Sequence, residues 1–365
     1  MSPVQLEFTA AELLTDDPVV EPLVAGGLWC HGGFDDDGAY RSPRTRFRRP
    51  AIAAWQARHR REFGTQLLDV PLETWPPNYP NVAQAKFLLR HGVRQPVIST
   101  LTRIGTVEGF GALIRHSAVP DIQRFFDEDL RGTATAHLDG GLLEAHARDE
   151  AGFEGVAGHQ EMWFAARDAA FEHPVTEDQT AAMLARMGFS SGVGTPDPGL
   201  VRRQMEAARR FPDVDLSLEM LVSRMIRILL IEISAFHVFA WADEVLSDTD
   251  LVAGDGEAVR LVTYIRQDET PHVDYLRTSL TEMRDRTFIG GSGRRHAGAE
   301  VIGRLWQQGL ADSLGVRREE TARLSLREVH DALDGRADAA DLLAEFHGLG
   351  DERPSLDGDA TASLY

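Results

Sequence analysis

From about residue 81 to 288, apolar residues recur at steps of three and four, and Pro and Gly are sparse inside the segments. That period predicts amphipathic helices, each with one buried stripe. Two further segments of the same kind follow at about 298–313 and 317–346, after the break FIGGSGRRHAGAE. Residues 1–80 differ. GGLWCHGGFDDDGAYRSPRTRFRRP and PLETWPPNYPN are rich in Pro, Gly and Arg, and predict an irregular segment wrapped on the core, with one short helix near 50–63. The tail 347–365 is polar and is expected to be disordered. With β signals weak throughout, the expected architecture is all-α: a helical domain over 81–346, an N-terminal wrap over 1–80, and the tail.

Four of the stripes carry a carboxylate near the middle. The segment 97–116 reads Leu101, Ile104, Glu108, Gly111, Ala112, and the segment 139–171 reads Leu143, His146, Glu150, Phe153, Ala157. The segment 218–244 reads Leu221, Met225, Leu229, Glu232, Phe236, Phe239. The segment opening at Asp255, a candidate N-cap, reads Val262, Ile265, Glu269, His272, Leu276, Leu280, Met283. An unpaired buried carboxylate costs on the order of several kcal/mol and is normally paired, neutralised or given a metal. Four of them, one per helix, point to a common cause, and a shared cation supplies it. Carboxylates with one or two imidazoles suit iron, with manganese as the alternative, better than zinc.

The intervals fit an assembly. Glu108 to Glu150 is 42 residues and Glu232 to Glu269 is 37, each right for two half-helices and a short loop, which sets the carboxylates level in an antiparallel hairpin. Glu150 to Glu232 is 82 residues, the length of one long crossover between hairpins. Local motifs repeat too: Asp268-Glu269-Thr270-Pro271-His272 on one helix and Asp149-Glu150-Ala151-Gly152-Phe153 on another. A Glu and a His three apart share a helical face and can reach one metal. The preceding Asp is placed to hydrogen-bond the ligating His of the facing helix.

Composition narrows the partners. The net charge of −19 argues against nucleic acid and anionic membranes. Cys30 is the only cysteine, so no internal disulfide forms, in keeping with a cytoplasmic chain. The first residues show no signal-peptide pattern. The stretch 220–242 is long enough for a bilayer, but Arg224, Arg227 and Glu232 lie inside it, and it reads as a buried helix.

The pattern Glu108, then Asp149-Glu150, then Glu232, then Asp268-Glu269-x-x-His272 resembles the di-iron carboxylate oxidases and oxygenases of the ferritin-like superfamily. That group includes the small subunit of ribonucleotide reductase, bacterial multicomponent monooxygenases, acyl-carrier-protein desaturases and arylamine N-oxygenases. The resemblance covers about residues 97–288 and implies a ferritin-like four-helix bundle with two iron ions bridged by carboxylates. The sequence departs from it at Phe153, where a histidine belongs. His146, four residues before Glu150, looks like the extra histidine of N-oxygenase-type sites. The resemblance then implies one metal held by Glu108, Glu150 and His146 and the other by Glu232, Glu269 and His272, with Glu150 and Glu269 bridging and Asp149 and Asp268 behind the ligands. The alternative is that Phe153 leaves the first site weak or empty.

The remaining candidates have plainer readings. His159 lies nine residues past Glu150, off the seam of a continuous helix, and reads as structural or surface; His237 reads as packing. Trp163 and Trp241 read as core or pocket lining. Pro271 predicts a kink beside His272, and Gly105, Gly109 and Gly111 predict either a channel or close helix packing. A radical-bearing tyrosine is missing, because its position is Ala157. The resemblance implies dioxygen activation for hydroxylation, N-oxygenation or desaturation of a small metabolite, with an electron donor as partner and a homodimer as the default assembly. The opposing expectation is a scaffold or binding protein whose carboxylates are satisfied by Arg103, Arg115, Arg224 or Arg227; a haem-oxygenase-like di-metal fold is a structural alternative.

Overall fold

The computed structural model describes residues 4–117, 119–172, 175–186, 203, 206, 207 and 209–351. It is mostly helical. The long apolar segments form α4 (Gln95–Gly111), α5 (Leu143–Ala151), α6 (His159–Phe171), α8 (Leu216–Leu246) and α9 (Glu257–Arg284). Shorter helices precede and separate them: α1 (Ala10–Leu13), α2 (Arg48–Phe63), α3 (Val82–Arg90) and α7 (Glu177–Arg186). α4 packs on α5 and α6, α6 packs on α9, and α9 lies along α8. α9 begins two residues after the predicted cap, with Gly256 at the N-cap, and it runs on through Pro271.

The end of the chain forms α10 (Gly298–Leu314), α11 (Val316–Leu333) and α12 (Ala339–Gly348). The predicted 317–346 segment is therefore two helices, parted where Gly335 adopts φ +75°. Residues 347–351 of the predicted disordered tail dock on α3: the Asn81 side chain donates to Leu349 O at 2.8 Å. The rest of that tail lies outside the described residues, as does part of the crossover.

The N-terminal segment is more ordered than its composition predicts. An antiparallel sheet, β1 (Glu21–Ala25), β2 (Leu28–Phe34) and β3 (Tyr40–Arg41), precedes α2. Irregular composition misled here because the strands are short, glycine-rich and stabilised by the helices beneath them. A second hairpin, β4 (Thr287–Ile289) and β5 (Arg295–Ala297), follows α9.

Two apolar cores divide the helices lengthwise. One takes Leu221, Met225 and Leu229 of α8 with Val273, Leu276 and Leu280 of α9. The other takes Phe239, Trp241 and Val245 of α8, Leu261 and Ile265 of α9, Leu101 of α4 and Trp163 of α6. Between Ile265 and Val273 the buried residues of α9 are Asp268, Glu269, Pro271 and His272, and on α8 the buried Glu232 interrupts an otherwise apolar run of buried residues from Leu229 to Phe236. Two helices, Gln95–His116 and Leu216–Leu246, are long and apolar enough to cross a membrane by composition, and 61% and 67% of their windows are buried inside the fold.

Candidate metal centre

The polar layer between the two cores holds Glu108 from α4, His146 and Glu150 from α5, His159 from α6, Glu232 from α8, and Glu269 and His272 from α9. All are buried, Glu108 being the most exposed at 9%. Their ligand atoms form two groups compact enough to hold a metal ion each: Glu108, Glu150, His159 and Glu269; and His146, Glu150, Glu232 and His272. Glu150 belongs to both. Glu269 spans them, with Oε1 2.9 Å from His159 Nδ1 and Oε2 2.8 Å from His272 Nδ1.

Two sequence readings are corrected here. His159 is not a surface residue: it is fully buried, faces both Glu269 and Glu150, and belongs to a group that could hold a metal ion. His146 does not join Glu108. Its Nε2 lies 3.3 Å from Glu232 Oε1, and its ring stacks on His272 at 3.9 Å.

The reason for His159 lies in the loop between α5 and α6. A continuous helix would turn residue 159 away from Glu150, because nine residues are two and a half turns. The chain instead leaves the helix at Gly152 (φ +74°). Phe153 and Val156 then exchange backbone hydrogen bonds of 3.0 Å around Glu154 (φ +50°) and Gly155 (φ +83°). Positive φ at both central residues is the signature of a tight two-residue hairpin turn. A Cβ on Gly152 would meet Val156 O at 2.2 Å, and one on Gly158 would meet Gly152 N at 2.3 Å. β2 pins the loop: His31 N donates to Ala157 O (2.9 Å), and Ala157 N to Trp29 O (2.7 Å). The helix then restarts at His159 with its phase reset, which turns that ring toward Glu150 and Glu269. Phe153 is half-buried, under the Arg148 guanidinium at 3.5 Å. Ala157 is likewise off the helix, so its place says nothing about a buried tyrosine; Tyr275 is fully buried with its hydroxyl 3.2 Å from His146 Nδ1.

Each group is backed by an aspartate from the facing helix. Asp149 Oδ2 is 2.8 Å from His272 Nε2, and the guanidiniums of Arg48 (2.7 Å) and Arg44 hold the same carboxylate. Asp268 Oδ2 is 3.5 Å from His159 Nε2 and also takes hydrogen bonds from His31 Nε2 (3.1 Å) and the Tyr40 hydroxyl (2.9 Å). Arg44 can only donate, so its approach to His31 Nδ1 at 3.5 Å makes that nitrogen the acceptor and leaves the ring proton on Nε2, toward Asp268. His31, Tyr40, Arg44 and Arg48 all come from the N-terminal wrap, a role the sequence pattern did not suggest for it. The signal present was a cluster of basic and aromatic residues, GAYRSPRTRFRR, whose partners are more than a hundred residues away.

With their Nε2 atoms turned to aspartates, His159 and His272 direct Nδ1 lone pairs at carboxylate oxygens. Lone pair facing lone pair requires a proton or a cation between them. Glu150 Oε1 and Oε2, Glu269 Oε1, Glu232 Oε2, His146 Nε2 and His159 Nδ1 are buried without a hydrogen-bond partner among the described residues. Burial opposes charge on His159, yet Glu269 and Glu150 raise its pKa well above the usual imidazole range; for His272 burial is likewise overcome, by Glu269 and Asp149. Burial, then the neighbouring glutamates, push Glu108 and Glu232 well above the carboxylate range. Burial and the adjacent His272 lower His146 to about 3. The glutamates repel one another, as do His146 and His272, and divalent ions would relieve that repulsion.

The arginines expected to satisfy these carboxylates are engaged elsewhere. Arg103 pairs with Glu328 at 2.9 Å, Arg115 with Glu144 at 3.3 Å, and Arg224 bonds Ser117 Oγ at 3.0 Å. Arg227 sits beside Arg317 and Asp312. His237 bonds Leu72 O at 2.9 Å, the packing role expected of it. The Trp163 indole N–H donates to Glu108 Oε1 at 3.2 Å. The glycines of α4 serve close packing: a Cβ on Gly105, Gly109 or Gly111 would fall within 2.8 Å of Phe164, Gln160 or Glu150 respectively. No family model, curated protein or solved structure matches this chain.

Proposed function

We propose that this chain is a non-haem di-iron oxygenase or oxidase, with α4, α5–α6, α8 and α9 forming a ferritin-like bundle around the centre. The observation that carries the reading is the pair of buried ligand groups sharing Glu150 and spanned by Glu269. Two divalent ions bring four positive charges to four glutamates, while Asp149 is offset by Arg44 and Arg48. Ligands of this type suit iron first and manganese second. When bound, such an ion pair supplies reduction of dioxygen, the chemistry a protein cannot perform with side chains alone.

The chain's own contribution is placement. Glu150 and Glu269 would be shared by the two positions; Glu108 and His159 would complete one, and Glu232, His146 and His272 the other. Asp149 and Asp268 fix the imidazole tautomers. The two apolar cores keep water from the layer between them. The substrate is a small metabolite undergoing hydroxylation, N-oxygenation or desaturation, with a separate electron donor. The test is anaerobic loading with ferrous iron, metal analysis, and optical spectra on admitting oxygen. About two irons per chain with an oxygen-dependent absorption change supports the reading; one metal or fewer with no response to oxygen defeats it.

A further inference from the structure

The two halves of the centre are built from different donors. One gathers two imidazoles, His146 and His272, with Glu232; the other has the single imidazole of His159 with Glu108. We propose that the two positions are inequivalent and fill in order: an ion of the iron type enters the His146–His272 position first. The Glu108–His159 position then takes the second, more weakly held ion, and accepts a harder ion such as Mn(II). This rests on the metal-centre reading above.

Three observations point the same way. Imidazole nitrogen favours ions later in the first-row series, where iron outranks manganese, whereas a carboxylate-rich set discriminates less. The His146–His272 position is also better prepared. The two rings stack 14° from parallel, and His146 is anchored by Tyr275 through Nδ1, so Nε2 is buried, aimed at Glu232 and free of any hydrogen-bond partner among the described residues. A ligand already fixed loses little freedom on binding. The backing of the two single-helix histidines differs as well. His272 Nε2 is 2.8 Å from an aspartate held by two guanidiniums, whereas His159 Nε2 is 3.5 Å from an aspartate oxygen already shared by His31 and Tyr40. Such backing is worth about 10- to 100-fold in metal affinity. The guanidiniums draw charge from Asp149 and so weaken His272 as a donor, but a whole additional imidazole outweighs that loss.

The experiment is an anaerobic calorimetric titration of the metal-free protein with Fe(II), followed by loading from an equimolar Fe(II) and Mn(II) mixture and metal analysis. The expected result is two binding steps about 10- to 100-fold apart, and from the mixture more iron than manganese, with manganese staying below about one ion per chain. His146→Ala should abolish the tighter step, and Glu108→Ala the weaker, each with an unchanged circular dichroism spectrum. Two equal steps, equal amounts of iron and manganese from the mixture, or loss of the weaker step in His146→Ala overturns the proposal while leaving the metal centre standing. Absence of binding of either ion by the wild-type chain removes the metal-centre reading, and this inference with it.

Discussion

His159 turns Nδ1 into the cluster and Nε2 toward Asp268, so its truncation separates a ligand from a packing residue. His159→Ala should lower iron content by about one ion per chain, measured after anaerobic loading. Phe153→Ala should leave metal content unchanged, since that ring meets Arg148 at the surface of the loop. Loss of iron from Phe153→Ala instead would mean that the loop, not the imidazole, is what the metal needs. Protons compete for the same atoms. In the metal-free protein Glu108, Glu232, His159 and His272 all have raised pKa values, so each holds its proton further up the pH scale than usual. Metal binding needs the unprotonated forms. It must therefore expel protons, and the apparent affinity should fall as pH drops below those raised values. Calorimetry in two buffers of different ionisation enthalpy reads this directly: equal heats in both would show that no protons leave.

At the scale of elements, the hairpin turn between α5 and α6 decides whether His159 reaches the centre. Gly152→Ala places a side chain at φ +74° and against Val156 O. It should cost about 1–3 kcal/mol in denaturant unfolding and weaken the position that His159 completes. An unchanged unfolding midpoint would show that the loop has another conformation available. The same turn marks where the sequence stopped being legible. Glu108, Glu150, Glu232 and Glu269 were readable because a carboxylate inside an apolar stripe of helical period is costly unless something compensates its charge. His159 was not, because its phase depends on a seven-residue interruption whose cues, Gly152 and Glu154-Gly155, resemble helix-breaking noise until their backbone angles are known. The strands of the N-terminal wrap were illegible for a related reason: β2 is defined by its partners, Glu21–Ala25 on one side and Ala157 on the other, rather than by alternation of its own residues.

For the whole molecule, the centre is a charged sheet between two apolar cores, and the fold tolerates it only with its compensations in place. Arg48 is fully buried and holds Asp149. Arg48→Ala should destabilise the protein by about 3–5 kcal/mol, the cost of stranding one partner of a buried pair, read as a lower midpoint in urea. Metal held in the proposed centre would act on the same balance from inside. Because bound ions favour only the folded state, chelation should lower the thermal midpoint by roughly 5–10 °C; an identical midpoint with and without chelator would mean that the cluster is already neutralised.

His31 and Tyr40 reach Asp268 across 237 and 228 residues of chain, and Arg44 reaches Asp149 across 105. The pieces of the site therefore leave the ribosome in the wrong order for use: the backing groups emerge first and wait, and the last ligand, His272, follows Glu108 by 164 residues. No nascent chain that has yet to reach His272 owns the complete centre. The full ligand set can hold metal only once His272 has emerged and α9 has packed, so the newborn protein has an interval in which the glutamates are present and uncompensated. On the proposed di-iron reading, growth on scarce iron should lengthen that interval, and the shortage would show as slower maturation of this protein before it showed as lost activity.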